Sequence, residues 1–443
     1  MKKNIFLLLM LATAIGTTQA AQPERPLCER VKPIQEKMWE KPHPTDQYSQ
    51  DIRYLLMRSC QYLTGAWWTD KKHFDKQEAQ DYLDFGGTIE KYIRPIGHAG
   101  FTLAFALKSG IYDETIAKTP AEEAKRKTVR LISSMAHRHM ANSGKEGWGN
   151  LWQSALWAAQ GAEAAWIMWD ELDAKTRQEV CNMLVFEADR FIDYEVPYYQ
   201  DATGKILFPG DTKAEENAWN SNITTIAMLM LPDHPHYNLW EAKNYELQLS
   251  AYAAPDDRHM TRKIDGRRPC DILKGSNINM DGTVVNHRIT HPDYMTAIMH
   301  NTTNGWLHIL ARQPELEASS FNGERVYKAL TVNKYNGKTM FLADEQGHAT
   351  SQVYFPEGND WGNSRQANYW LMDMMAHLYE WDNGVTPSAL DFAKARTATM
   401  IQMINRGNTG AYYQTPQEDR FDTREEWFGW HIAFGYMGWW LKN

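Results

Sequence analysis

The sequence predicts an all-α chain, an (α/α) toroid or barrel of antiparallel helix pairs with minor β-hairpins in its loops. Three observations predict it. Apolar residues recur at three- and four-residue steps through most of the chain, strand-like alternation is confined to two short segments, and the connections between periodic stretches are polar and turn-rich. Helix–loop–helix units of roughly 40–50 residues recur loosely, a spacing of helical-pair architectures. Helices joined pairwise with long loops gathered at one end give a ring with a cleft at that end, where chemistry collects. A helical solenoid is the alternative arrangement.

The first twenty residues read as a secretory signal. Lys2 and Lys3 precede the apolar run Ile5 to Ile15, and small residues follow up to Thr18 and Ala20. The run is shorter than the about 20 apolar residues a membrane span needs. The expectation is an exported bacterial chain, periplasmic or extracellular, with residues 1–20 removed and residues 21–443 forming a single domain. Helical periodicity then begins with Ile52, Leu55, Leu56, Ser59 and Leu63 on one face. A second helix follows Pro95 and Gly97 and ends at Gly110, and a third runs from Thr119-Pro120, a good start signal, to Met140. Further helices are expected over Leu151–Leu172, Lys175–Tyr194, Asn217–Leu231, Tyr294–Ala311, Asn368–Trp381, Pro387–Asn405 and Glu426–Leu441. Turn-rich connections span Pro197–Thr212, Ala254–Gly275 and Gly337–Asn363, with short hairpins expected at Gly282–Asn286 and Thr339–Leu342.

A net charge of −8 argues against nucleic acid and anionic membrane surfaces as partners. It leaves room for an acidic sugar, because a local arginine can serve a single carboxylate. The 18 Trp and 21 Tyr are the compositional signal, since their rings stack on sugars and offer N–H and O–H groups as handles, although helical cores use them too. Four cysteines are too few for a disulfide scaffold; Cys28 to Cys60 is the cheapest bridge, and buried free thiols are the alternative.

Four segments carry candidate chemistry. From Gly210 to Asn222 a polar loop enters an apolar helix, and capping by Asp211 or Thr212 does not explain Asn217, Trp219, Asn220 and Asn222 together, because Asn is a poor helix-interior residue. From Asn279 to Tyr294 a tight Asp281-Gly282 turn leads to His287, Arg288, His291 and Tyr294. Histidine can act as a base near neutral pH. The His287–His291 spacing also occurs in metal sites, but Pro292 disfavours a helix through both and no acidic residue is suitably spaced, so no metal and no cofactor is expected. Phe355 to Arg365, with Asp360, Trp361 and Arg365, and Arg420 to His431 complete the set, each equally readable as a helix start. Trp148, Trp152 and Trp157 read as core, with Trp148 the one placed to face a cleft.

The second segment resembles the (α/α)-toroid polysaccharide lyases of the chondroitin AC, hyaluronate and alginate lyase superfamily. In those enzymes an Asn precedes Asp-Gly-Ser-Phe-x-x-His, followed shortly by Tyr; here Asp281-Gly282-Thr283-Val284-Val285-Asn286-His287 precedes Tyr294 at a shorter spacing. The resemblance implies β-elimination at a uronic acid. Asn217, or else Asn222, with Arg288 or Arg365, would neutralise the sugar carboxylate; His287, or Tyr294 for the other C5 configuration, would take the proton; Tyr294 would protonate the departing O4; His291 would hold the sugar or support the base, and Trp219 and Trp361 would bind the sugar. The implied partner is an acidic polysaccharide or oligosaccharide. Two other function classes remain open. An inverting glycoside hydrolase on the same barrel would draw two carboxylates from Glu215, Glu216, Asp281, Asp360 and Glu426. A non-catalytic glycan-binding protein would need none of this loop chemistry.

Overall fold

The computed structural model describes residues 25–443; the expected signal segment lies outside them. The described residues are mostly helical, with three two-stranded antiparallel sheets: the long-range pair Gln200–Asp201 with Gly275–Ser276, and the hairpins Val285–Asn286 with Ile289–Thr290 and Phe341–Ala343 with Ala349–Val353. Two hairpins fall where alternation predicted them. Among the described residues no helix is long and apolar enough to cross a membrane.

Six helices are buried along nearly their whole length. Glu90–Lys108 packs on Ser154–Ile167, which packs on Ala214–Met230, and this in turn on Met299–Leu310. Met299–Leu310 touches Gln366–Leu378 and Arg424–Lys442, which pack on each other, and Arg424–Lys442 packs on Glu90–Lys108. Outside them lie Gln47–Thr64, Ala121–His137, Ala174–Asp189, Tyr237–Ala251, Gly323–Thr331 and Ala389–Ile404, each against at least one of the six. Two of these, Tyr237–Ala251 and Gly323–Thr331, lie outside the helices expected from the sequence. Glu90–Lys108 starts a turn before Pro95.

Small residues set the closest approaches. Gly438 lets the last helix lie on Trp306: a Cβ there would fall 2.5 Å from the indole Cε2. Gly435 does the same against Trp370. Buried polar side chains tie the helices laterally. Arg396 Nε donates to Asp373 Oδ2 at 2.7 Å, and Tyr327 donates to the other oxygen at 3.0 Å, joining three helices. Asn222 donates to the His300 carbonyl (2.6 Å) and Asn304 Oδ1 (2.8 Å), Asn304 to Ser221 Oγ (2.7 Å), and Asn244 to the Ser221 carbonyl (2.9 Å). This amide ladder explains why so many asparagines occupy helix interiors: each satisfies groups that an apolar side chain would leave unpaired.

The Cys28–Cys60 bridge does not form. All four cysteines are free thiols, and Cys28 lies on the turn Leu27–Glu29, which packs against the helix that carries Cys181.

Candidate active site

The six buried helices present the same end to one cavity of about 270 Å³. Its lining takes Glu90 and Arg94 from the first helix, Trp152 and Gln153 just ahead of the second, Glu215 and Trp219 from the third, and Met299 and His300 from the fourth. Arg365 and Asn368 come from the start of the fifth and Trp427 from the first turn of the sixth. No N-cap side chain accepts a hydrogen bond at any of these six helix starts, whereas Asp46, Asp173 and Ser388 cap three of the outer helices. Helix N-termini carry partial positive charge and spare N–H groups. Six converging starts therefore turn the partially positive ends of their backbones toward the cavity, whose lining also carries the acids Glu90, Glu215 and Asp293.

Two arginines stand there as well, each paired with carboxylates. Arg94 pairs with Glu90 at 2.8 Å, and burial holds its guanidinium below the ordinary arginine value. Arg365 sits between Asp419 (3.2 Å) and Asp293 (3.4 Å); burial pulls it down, but the two carboxylates outweigh burial and keep it raised. The Trp427 ring lies between the two guanidiniums, 5.1 Å from Arg94 and 4.8 Å from Arg365, so cation–π attraction fixes both.

At the cavity edge stands the His287 cluster. The hairpin loop consists of His287 and Arg288, both left-handed (φ 50° and 68°), positions where a two-residue turn favours Asn and Gly. Non-glycine residues held in this region signal a constraint that the surroundings enforce. Here Arg288 N donates to the Gly210 carbonyl at 2.9 Å, and Gly210 (φ 77°) has no room for a Cβ beside the Arg288 side chain. The turn aims His287 between two partners. Its Nδ1 is 2.7 Å from Asp360 Oδ2, and its Nε2 is 2.9 Å from the Tyr294 hydroxyl. His291 Nε2 reaches the other Asp360 oxygen at 3.0 Å, and the loop is pinned further by Glu357 accepting from Thr290 N–H. Burial raises the Asp360 carboxyl, but the two imidazoles outweigh it and hold it below the usual range. Burial pushes the Tyr294 phenol up, helped by nearby Glu215, and pushes His300 down to about 3. His291 is also lowered by burial, against the pull of Asp293 and Asp360. His287, His291 and Asp360 offer ligand atoms that all lie within 4.8 Å of one another.

Of the nine site residues expected from sequence, His287, Tyr294, Trp219, Trp361 and Arg365 line the cavity. His291 lies fully buried behind it, and Arg288 is exposed outside it. Asn217 and Asn222 are not part of the lining: Asn217 donates to the Pro197 carbonyl (3.0 Å) and Ser250 Oγ (3.1 Å), and Asn222 belongs to the amide ladder. Trp152, 61% exposed, reaches the cavity rather than the buried Trp148. Among the candidate carboxylates, Asp281 holds its own turn, Glu216 binds Lys213 and Trp152, and Glu426 is buried against Trp67 and Lys71. Glu215 alone of these faces the cavity with no protein hydrogen-bond partner among the described residues; burial, then the neighbouring Glu216, pushes it up to about 8.

The sequence reading missed Arg94, Gln153, His300 and Asn368, which lie in or just before helices and outside the four segments that crowd polar residues together. Gln153 Oε1, Trp219 Nε1, His300 Nδ1 and Trp427 Nε1 are buried without a protein partner among the described residues. Buried polar atoms are normally paired, so at a cavity wall these four suit a ligand rich in hydroxyls. No family model matches the chain, and no curated protein or solved structure matches it.

Proposed function

We propose that the chain is an exported polysaccharide lyase that cleaves uronate-containing glycans by β-elimination on an (α/α) toroid. The cyclic succession of six buried helices, each with an outer neighbour, supports the toroid. The observation that carries the chemistry is the chain Asp360–His287–Tyr294 at the edge of a cavity onto which six helix starts converge.

The sugar carboxylate enters against Arg94, Asn368 and the helix starts, which stabilise the charge that grows as C5 loses its proton. Asp360 accepts from His287 Nδ1–H, so Nε2 presents its lone pair and takes the C5 proton. The C4–O4 bond breaks as C4=C5 forms. Tyr294, kept a neutral phenol by burial, gives its proton to O4. The proton gained by His287 then returns to Tyr294 across their hydrogen bond, which restores both groups. Trp152, Trp219 and Trp361 offer faces for neighbouring sugar rings.

Glu215 supports a second reading. A carboxyl that burial pushes up to about 8 and that lines the substrate space is what a glycoside hydrolase needs as its acid. One experiment separates the two: incubation with uronate polysaccharides while following the ultraviolet absorbance of an unsaturated uronide and the product size. Shorter products with rising absorbance support the lyase. Shorter products without absorbance overturn it in favour of the hydrolase, and unchanged polymer leaves a binding protein.

A further inference from the structure

We propose that His287 Nδ1, His291 Nε2 and the Asp360 carboxylate form a binding site for a divalent first-row transition ion. This goes beyond the elimination reading and does not rest on it, since binding requires only the three ligand groups. No acidic residue stands at metal-site spacing beside the two histidines in the sequence; the fold brings one from a loop 69 residues beyond His291.

The geometry has both shells of a metal site. Atoms bound at about 2.1 Å to one ion stand roughly 3.0–3.4 Å apart. The Asp360 oxygens lie 2.7 Å from one ring nitrogen and 3.0 Å from the other, so small rotations of an exposed carboxylate admit an ion. Two imidazoles and one carboxylate on one side of the ion leave its other positions open, and this donor set suits Mn²⁺, Fe²⁺, Co²⁺ or Zn²⁺ over Ca²⁺ or Mg²⁺. Metal-bound histidines usually give their second N–H to an oxygen that fixes the ring. An oxygen faces each second nitrogen here: the Tyr294 hydroxyl is within hydrogen-bond reach of His287 Nε2 at 2.9 Å, and Asp293 Oδ2 faces His291 Nδ1 at 3.6 Å, too far for a hydrogen bond as the rings stand.

The burial of these atoms makes the same point. A carboxylate stands at each ring nitrogen of His291, yet Nδ1 and Asp293 Oδ2 are buried with no protein hydrogen-bond partner among the described residues. An ion at Nε2 would leave the ring N–H on Nδ1, facing Asp293. The left-handed backbone at His287 fits this picture, because it is what turns Nδ1 toward Asp360.

An ion would also reverse the hydrogen bond to Tyr294. With Nδ1 bound, the imidazole proton sits on Nε2, and His287 becomes a donor to the phenol instead of its acceptor. In the elimination scheme above this blocks His287 as base, so the loaded protein would turn over more slowly than the chelated one.

Isothermal titration of the chelator-treated protein with Co²⁺, Zn²⁺ and, as a control, Mg²⁺ tests the site. The expected result is one equivalent of Co²⁺ or Zn²⁺ bound, with visible d–d absorbance of Co²⁺ that reports imidazole ligation. Affinity should fall at least tenfold in Asp360→Asn, whose exposed side chain keeps the fold, and in His291→Ala. Absence of saturable binding, or equal affinity in wild type and Asp360→Asn, overturns the proposal. The two proposals fail separately: a lyase that binds no ion sinks only the metal site, and an ion-binding protein that yields no unsaturated product sinks only the lyase.

Discussion

The Tyr294 hydroxyl and His287 Nε2 stand 2.9 Å apart, although one lies in the first turn of the short helix Pro292–Thr296 and the other in a left-handed hairpin loop. If that contact carries the proton transfers, Tyr294→Phe and His287→Ala should each lower turnover by about 10²–10⁴. Tyr294→Phe keeps the buried ring, and His287 is an exposed loop residue, so melting temperatures should move little. Turnover on a uronate polysaccharide together with calorimetry checks both.

Arg94 and Arg365 predict opposite phenotypes. Arg365 balances two buried carboxylates, Asp293 and Asp419, so Arg365→Met leaves both uncompensated and should cost about 3–5 kcal/mol of stability. Arg94 has one carboxylate partner, Glu90, which is partly exposed and can resolvate. Arg94→Met should therefore raise KM roughly tenfold or more while the denaturation midpoint stays close to wild type. Urea titrations beside steady-state kinetics distinguish the two.

Glu215 gives a pH signature. Its carboxyl titrates at the ordinary 4.5 when unfolded and near 8 when folded, so between those values the folded state alone holds the proton. Stability from this group is complete below about pH 4.5 and is lost as pH rises to about 8, after which the slope vanishes. Glu215→Gln removes the titration. Its melting temperature should match wild type at pH 4.5 and exceed it by roughly 2 °C or more at pH 9. Parallel melting curves for the two proteins across this range would refute the assignment.

Gly438 tests the packing. Gly438→Ala drives a methyl into the Trp306 indole, and overpacking of this kind costs about 1–3 kcal/mol. Gly407, which has open space around its Cβ position, serves as the control: Gly407→Ala should leave the midpoint within about 0.5 kcal/mol of wild type.

Helical periodicity made most of the architecture readable, because a buried face must repeat at the helical period wherever the partner helix lies. Tyr237–Ala251 escaped because Trp240, Tyr245, Leu247 and Leu249 share it with Asn244, Gln248 and Ser250, all buried, so no clean apolar stripe exists. The site was half legible. His287 and Tyr294 announced themselves by crowding polar residues into one short loop. Asn217 and Asn222 misdirected the reading for a physical reason: an amide that satisfies a neighbouring helix looks, in one dimension, the same as an amide that awaits a ligand. Arg94 and Asn368 gave no signal, because what makes them notable is convergence from distant helices. Asp360 became meaningful only once the fold set it against two histidines.

The six helix starts around the cavity have a consequence for how such a site can change over time. The partial positive charge that peptide groups present there cannot be erased by replacing any one side chain, nor does it titrate in the physiological range. Residues on the cavity wall are then free to drift, while that backbone contribution persists for as long as the helices keep their direction.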